Sequence, residues 1–254
     1  MTAKRTAADN KQVQRKTTTI KKRASESQSK PEAGAATGKR PYIVGIGSSA
    51  GGLEALTNLI RALPTDLGAT YVVIQHLSPT HRSMMVQLLG RETAMAVLEV
   101  EDGAFPQADT IYVTPPSHNI VLKEGRFSLI EGPRKTLPRP SVNTFFSSLA
   151  SCKGEDAICV VLSGTGSDGA AGLREVKAAG GFTFAQEPDS AKYSSMPQSA
   201  MDTGCVDAVL PPESIATEIA MITRTHGAVS LNPKPATAAT SLKKLLMNVN
   251  GQLN

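Results

Sequence analysis

The sequence predicts an α/β fold: a doubly wound, mainly parallel sheet with helices on both faces and a small β-hairpin. Two observations carry that expectation. Short apolar runs alternate along the chain with stretches whose apolar residues recur at helical spacing. The runs are apolar on both faces, as strands buried between two helical layers are.

The elements follow in order from Tyr42. YIVGIG is an apolar run that stops at glycine, as a buried strand does. Leu53, Leu56, Leu59, Ile60 and Leu63 then recur at helical spacing until Pro64. ATYVVIQH is a second buried strand, and Met84, Met85, Leu88 and Leu89 mark a helix. Strands follow near AVLEV and DTIYVT, the second closed by Pro115 and Pro116. NIVLKEGRFSLIEG reads as a hairpin, because Lys123-Glu124-Gly125 separates two alternating stretches. SVNTFFSSLA starts a helix with Ser141 as N-cap. AICVVLSG is the most hydrophobic strand and leads into helix DGAAGLREVKAAG. GFTFAQ, the short helix MPQSAMDTG, strand VDAVL and helix PESIATEIAMIT complete the pattern.

Composition bounds the function. The 254 residues carry a formal charge of +5, with 40% apolar and 19% charged residues. The basicity is local: residues 1–40 hold 11 Lys or Arg against 3 acids, leaving the remainder at −3. A mildly acidic domain without tryptophan argues against nucleic acid as its partner. The leader 1–40, with its small Lys21-Lys22-Arg23 cluster, is too poor in branched aliphatics to fold and is expected to be disordered. The domain spans 41–225, and 226–254 reads as a flexible tail with a short helix through Leu242, Leu245, Leu246 and Val249. Three scattered cysteines and no hydrophobic leader indicate a cytoplasmic protein with reduced thiols. Membrane contact would be peripheral at most. No metal or cofactor is expected, because no His, Cys or acid cluster has ligand spacing.

In a parallel sheet the functional groups lie beyond the carboxyl ends of the strands. The first strand ends in Gly47-Ser48-Ser49-Ala50-Gly51, which fits G-x-S-x-G, the strand–turn–helix elbow that projects a serine hydroxyl. Read from the residues, Ser48 competes with Ser49, and either is also a plain helix N-cap. The same stretch reads as Gly45-x-Gly47-x-x-Ala50, a dinucleotide fingerprint, but the second strand lacks the acid that reading requires. That strand ends instead in His76, where a general base for a serine proton belongs. His81 and His118 read as surface loop residues. Gly164-Thr165-Gly166-Ser167-Asp168 follows the most hydrophobic strand; Asp168 is either the N-cap of the next helix or the acid that orients His76.

G-S-S-A-G-G, V-V-I-Q-H, R-P-S-V-N, L-S-G-T-G-S-D-G-A-A-G-L, F-A-Q-E-P and M-P-Q-S-A-M together resemble the catalytic domain of the chemotaxis protein-glutamate methylesterases, the CheB family, over about residues 41–220. The resemblance implies Ser49 as nucleophile, His76 as base, Asp168 as orienting acid, and the backbone N–H groups of Ala50 and Thr165 as oxyanion hole. It implies hydrolysis of glutamate methyl esters on receptor signalling helices, with a protein-glutamine glutaminase side activity. The implied partner is a methylated chemoreceptor or related signalling protein, with a receptor methyltransferase as a second candidate. The competing reading is a non-catalytic module that binds a receptor or methyltransferase. Thr165 stands where the family often has Met, and Asn143 where it often has an acid. The 40 leading residues are too few for a receiver domain, so constitutive activity is expected. The text is also similar to methylesterase domains fused to methyltransferase and sensor modules.

Overall fold

The structure, a computed structural model, describes residues 41–76, 84–116, 118–131 and 140–225. The predicted leader, the helix near 242–249 and His81 lie outside the described residues.

In chain order the strands are β1 (Ile43–Ser48), β2 (Thr70–Gln75), β3 (Ala96–Glu99), β4 (Thr110–Val113), β5 (His118–Lys123), β6 (Arg126–Glu131), β7 (Ala157–Val161), β8 (Phe182–Gln186) and β9 (Ala208–Leu210). The helices are α1 (Gly52–Ala62), α2 (Met85–Leu89), α3 (Val142–Lys153), α4 (Ala170–Ala178), α5 (Ser195–Met201) and α6 (Pro212–Thr225). Seven strands form one sheet in the order β3-β4-β2-β1-β7-β8-β9. All its pairings are parallel. β5 and β6 form the separate antiparallel hairpin. Its two-residue turn places Glu124 and Gly125 at φ 52° and 76°, the backbone that follows the right-handed twist of paired strands.

Strand periodicity splits the core into two layers. Val44 and Ile46 of β1 pack with Leu56, Leu59 and Ile60 of α1 and Ile215 and Ile219 of α6. Ile43, Val72 and Ile74 face the other way, onto Phe145, Phe146 and Leu149 of α3 and Leu173 of α4. The glycines of β1 serve this packing. A Cβ at Gly47 would collide with the methyls of Val142. The space a dinucleotide fingerprint would need is therefore filled by α3.

The sheet positions the site through its winding. β1 hands the chain to α1 on one face, and the neighbouring β7 hands it to α4 on the other. Beyond their carboxyl ends the chain thus leaves for opposite faces, which makes this the topological switch point of the sheet. His118 departs from expectation: it begins β5, is half-buried, and its Nδ1 donates to the Pro116 carbonyl at 3.1 Å. The alternation of the hairpin extends one residue further than a loop reading allows. Among the described residues no helix is long and apolar enough to cross a membrane.

Candidate active site

The β1–α1 turn carries both candidate serines, and their surroundings separate them. Gly51, not a serine, is the N-cap of α1, at φ 69° and without a side-chain cap. Ser48 is fully buried and its Oγ donates to Gln75 Oε1. Ser49 is half-buried at the rim. Gln75 also donates through Nε2 to the Ser49 carbonyl at 2.7 Å. Gln75, the last residue of β2, thus holds the turn.

Cross-strand bonds fix that turn to the end of β7. Ser49 N–H donates to the Ser163 carbonyl at 3.0 Å, and Ser163 Oγ donates to the Ala50 carbonyl at 2.9 Å. Gln186 at the end of β8 accepts from Ser163 N–H at 2.8 Å. Beyond Ser163 the chain passes against the Ser49 turn. A Cβ on Gly164 would lie 2.8 Å from Ser49 Cβ, so only glycine fits there. Ser195 of α5 then clips the next turn, donating to the Gly166 carbonyl at 3.1 Å and accepting from its N–H at 3.2 Å. The N–H groups of Ala50 and Thr165, on either side of this crossing, donate to no acceptor among the described residues.

His76 extends the β1–β2 pairing by one step, its N–H donating to the Ser48 carbonyl at 3.0 Å. Its Nε2 lies 3.0 Å from Asp168 Oδ2, both side chains less than one-tenth exposed. An ionised carboxylate only accepts, so Nε2 carries the hydrogen of this bond and Nδ1 is turned away from the carboxylate. No hydrogen bond joins Ser49 Oγ to the imidazole among the described residues.

Asp168 is a cap, though of a different helix from the one the sequence suggests. Its own helix, α4, is capped by Gly169 without a side-chain bond. The carboxylate instead takes the first amides of α3: Val142 N–H at 2.8 Å on Oδ2 and Asn143 N–H at 2.9 Å on Oδ1. Ser141 Oγ donates to Oδ1 at 3.5 Å. Burial would raise the carboxyl pKa, but the bonds from His76, Asn143 and Val142 outweigh it and hold the group below the usual aspartate range. Ser141 is the N-cap of α3, accepting from Thr144 N–H at 3.3 Å, as predicted. Its own N–H donates to Asn119 Oδ1 at 2.8 Å, which ties α3 to the hairpin. Such an arrangement brings an imidazole–carboxylate pair, two N–H groups without an acceptor among the described residues and a serine to one strand-end rim.

Three comparisons relate the chain to known proteins. A family model described as CheB methylesterase matches residues 44–219. A protein-glutamate methylesterase/protein-glutamine glutaminase of Burkholderia orbicola is 35% identical over 190 residues, covering 74% of this chain and 56% of that protein. One from Geobacillus kaustophilus is 36% identical over 200 residues, covering 76% and 57%. The chain thus spans about half the length of the curated relatives it matches. Among solved structures, the Thermotoga maritima CheB methylesterase catalytic domain superposes with a TM-score of 0.69 at 30% identity, covering 72% of this chain and 99% of that one.

Proposed function

The chain belongs to the CheB methylesterase family, and from that premise we propose that it is a cytoplasmic serine esterase acting on glutamate methyl esters of a chemoreceptor or related signalling protein. The hydrogen bond between the largely sheltered His76 and Asp168 side chains, one strand over from Ser49, carries the reading. Ser49 Oγ attacks the ester carbonyl while His76 Nδ1 takes the hydroxyl proton. Asp168 holds the tautomer and balances the imidazolium. Ala50 and Thr165 N–H groups receive the oxyanion. Collapse of the tetrahedral intermediate expels the methoxy group, which takes the proton from His76 and leaves as methanol. A water activated by His76 then hydrolyses the acyl-enzyme to the free glutamate. A receptor glutamine enters the same cycle with ammonia as leaving group. The nucleophile–base contact need not be closed in the free enzyme, since such bonds commonly tighten only with substrate.

Methanol release from a methylated receptor tests this. Ser49→Ala is expected to lower the rate by about 10⁴-fold or more. Ser48→Ala should keep most of the rate and lose about 1–3 kcal/mol of stability, because Gln75 Oε1 loses its buried donor. Equal losses of rate in the two folded variants would refute the assignment. An unchanged rate in Ser49→Ala would favour the adaptor reading, with a contaminating esterase as the source of activity.

A further inference from the structure

We infer that Asn143 is a positioning residue for this reaction, holding the Asp168 carboxylate on His76 by capping the helix that starts just beyond it. The inference rests on the esterase reading above.

Helices α3 and α4 cap each other. Asp168, immediately before α4, takes the first amides of α3. Asn143, in the first turn of α3, returns the bond: its Oδ1 accepts from Gly169 N–H at 3.0 Å and Gly172 N–H at 2.9 Å. Those are two of the amides that a helix start leaves without an internal partner. The α4 start has no side-chain cap of its own, since its N-cap is glycine. Gly169 is also at φ 104°, a backbone with no Cβ to restrain it. Asn143 therefore supplies the restraint that the local sequence lacks, one residue from the carboxylate. Its backbone N–H adds a direct bond to Asp168 Oδ1. The side chain reaches the reacting groups only through Asp168, because its hydrogen bonds run to Gly169 and Gly172.

The requirement is for an acceptor oxygen. Two N–H groups converge on Oδ1, so a carboxylate of the same length satisfies both, whereas alanine satisfies neither. Removal leaves both amides to find other partners and lets residues 168–169 relax, and displacement of a catalytic group by about 1 Å costs on the order of 10²-fold in rate.

The experiment measures kcat and KM on a small carboxylic ester for wild type, Asn143→Ala, Asn143→Asp, Asp168→Asn and the Asp168→Asn/Asn143→Ala double variant. Asn143→Ala is expected to lower kcat by about 10–100-fold with KM changed less than about threefold. Asn143→Asp should restore kcat to within about threefold of wild type. In the Asp168→Asn background, Asn143→Ala should cost less than about threefold more, since the path through Asp168 is already broken. If Asn143→Ala does not fold, Asn143→Ser, whose shorter side chain cannot span both amides, carries the same cycle. Equal losses in both backgrounds would show a general structural role and overturn the inference. So would Asn143→Ala at the wild-type rate, or Asn143→Asp as slow as Asn143→Ala. A wild type that hydrolyses neither this ester nor methylated receptor would instead refute the esterase reading on which the inference stands.

Discussion

Asp168→Asn probes the site most directly, because the structure shows what each carboxylate oxygen does. Oδ2 accepts from His76 Nε2 and Val142 N–H; Oδ1 accepts from Asn143 N–H and Ser141 Oγ. An amide keeps one acceptor oxygen and adds a donor. With its NH₂ toward His76, it faces Val142 N–H donor to donor. His76 then finds a bond only as the other tautomer, with hydrogen on Nδ1 and no base left for Ser49. The NH₂ turned away faces Asn143 N–H instead, and His76 keeps its tautomer but loses its counter-charge. Each orientation leaves one backbone amide unpaired, so hydrogen-bond count excludes neither. The second forfeits the charge assistance of one bond, about 1.5 kcal/mol or tenfold in rate. The first removes the base and approaches about 10⁴-fold. The expected loss in kcat therefore lies between about 10- and 10⁴-fold. Stability should fall by about 3 kcal/mol, lowering Tm by roughly 6–12 °C. Methanol release, measured well below the variant's Tm, alongside thermal unfolding by circular dichroism, reads both quantities. A rate loss under tenfold in the folded variant would refute the role assigned to Asp168.

The same carboxylate sets an acid dependence of folding. Its native pKa is depressed, so its contribution is present above the unfolded value, about 3.9, and is lost as pH falls through the lower native value. The stability gap between wild type and Asp168→Asn should shrink from about pH 6 to about pH 3; a gap constant with pH in denaturant titrations would contradict this. Gly47→Ala should cost about 1–3 kcal/mol by driving a Cβ into Val142, and should lower activity because α3 carries the amides that hold Asp168. Adding Val142→Ala should recover both, and strictly additive losses in the double variant would show that the two side chains do not meet.

What the sequence determined by itself is local. Strand and helix periods depend on neighbours a few residues apart, so the alternating α/β pattern, the hairpin turning near Glu124-Gly125 and the Ser141 cap were legible, though Lys123 proved to belong to the strand. The strand-end rule also pointed to the Ser48-Ser49 turn, His76 and Asp168 as candidates, because it needs only the order of strands and turns. What the tertiary structure decided is which donors and acceptors meet. Ser48 and Ser49 share one turn and compete on local sequence, and their surroundings differ because β2 lies beside β1 and brings Gln75 to Ser48. The glycines of β1 look like a nucleotide fingerprint until α3 packs Val142 onto them. Asp168 reads locally as a cap for the helix that follows it. It caps α3 instead, because α3 starts beside the end of β7 and its first amides have no internal partner. A carboxylate binds whichever unpaired donors packing brings within about 3 Å, and in this fold those lie 26 and 25 residues away along the chain.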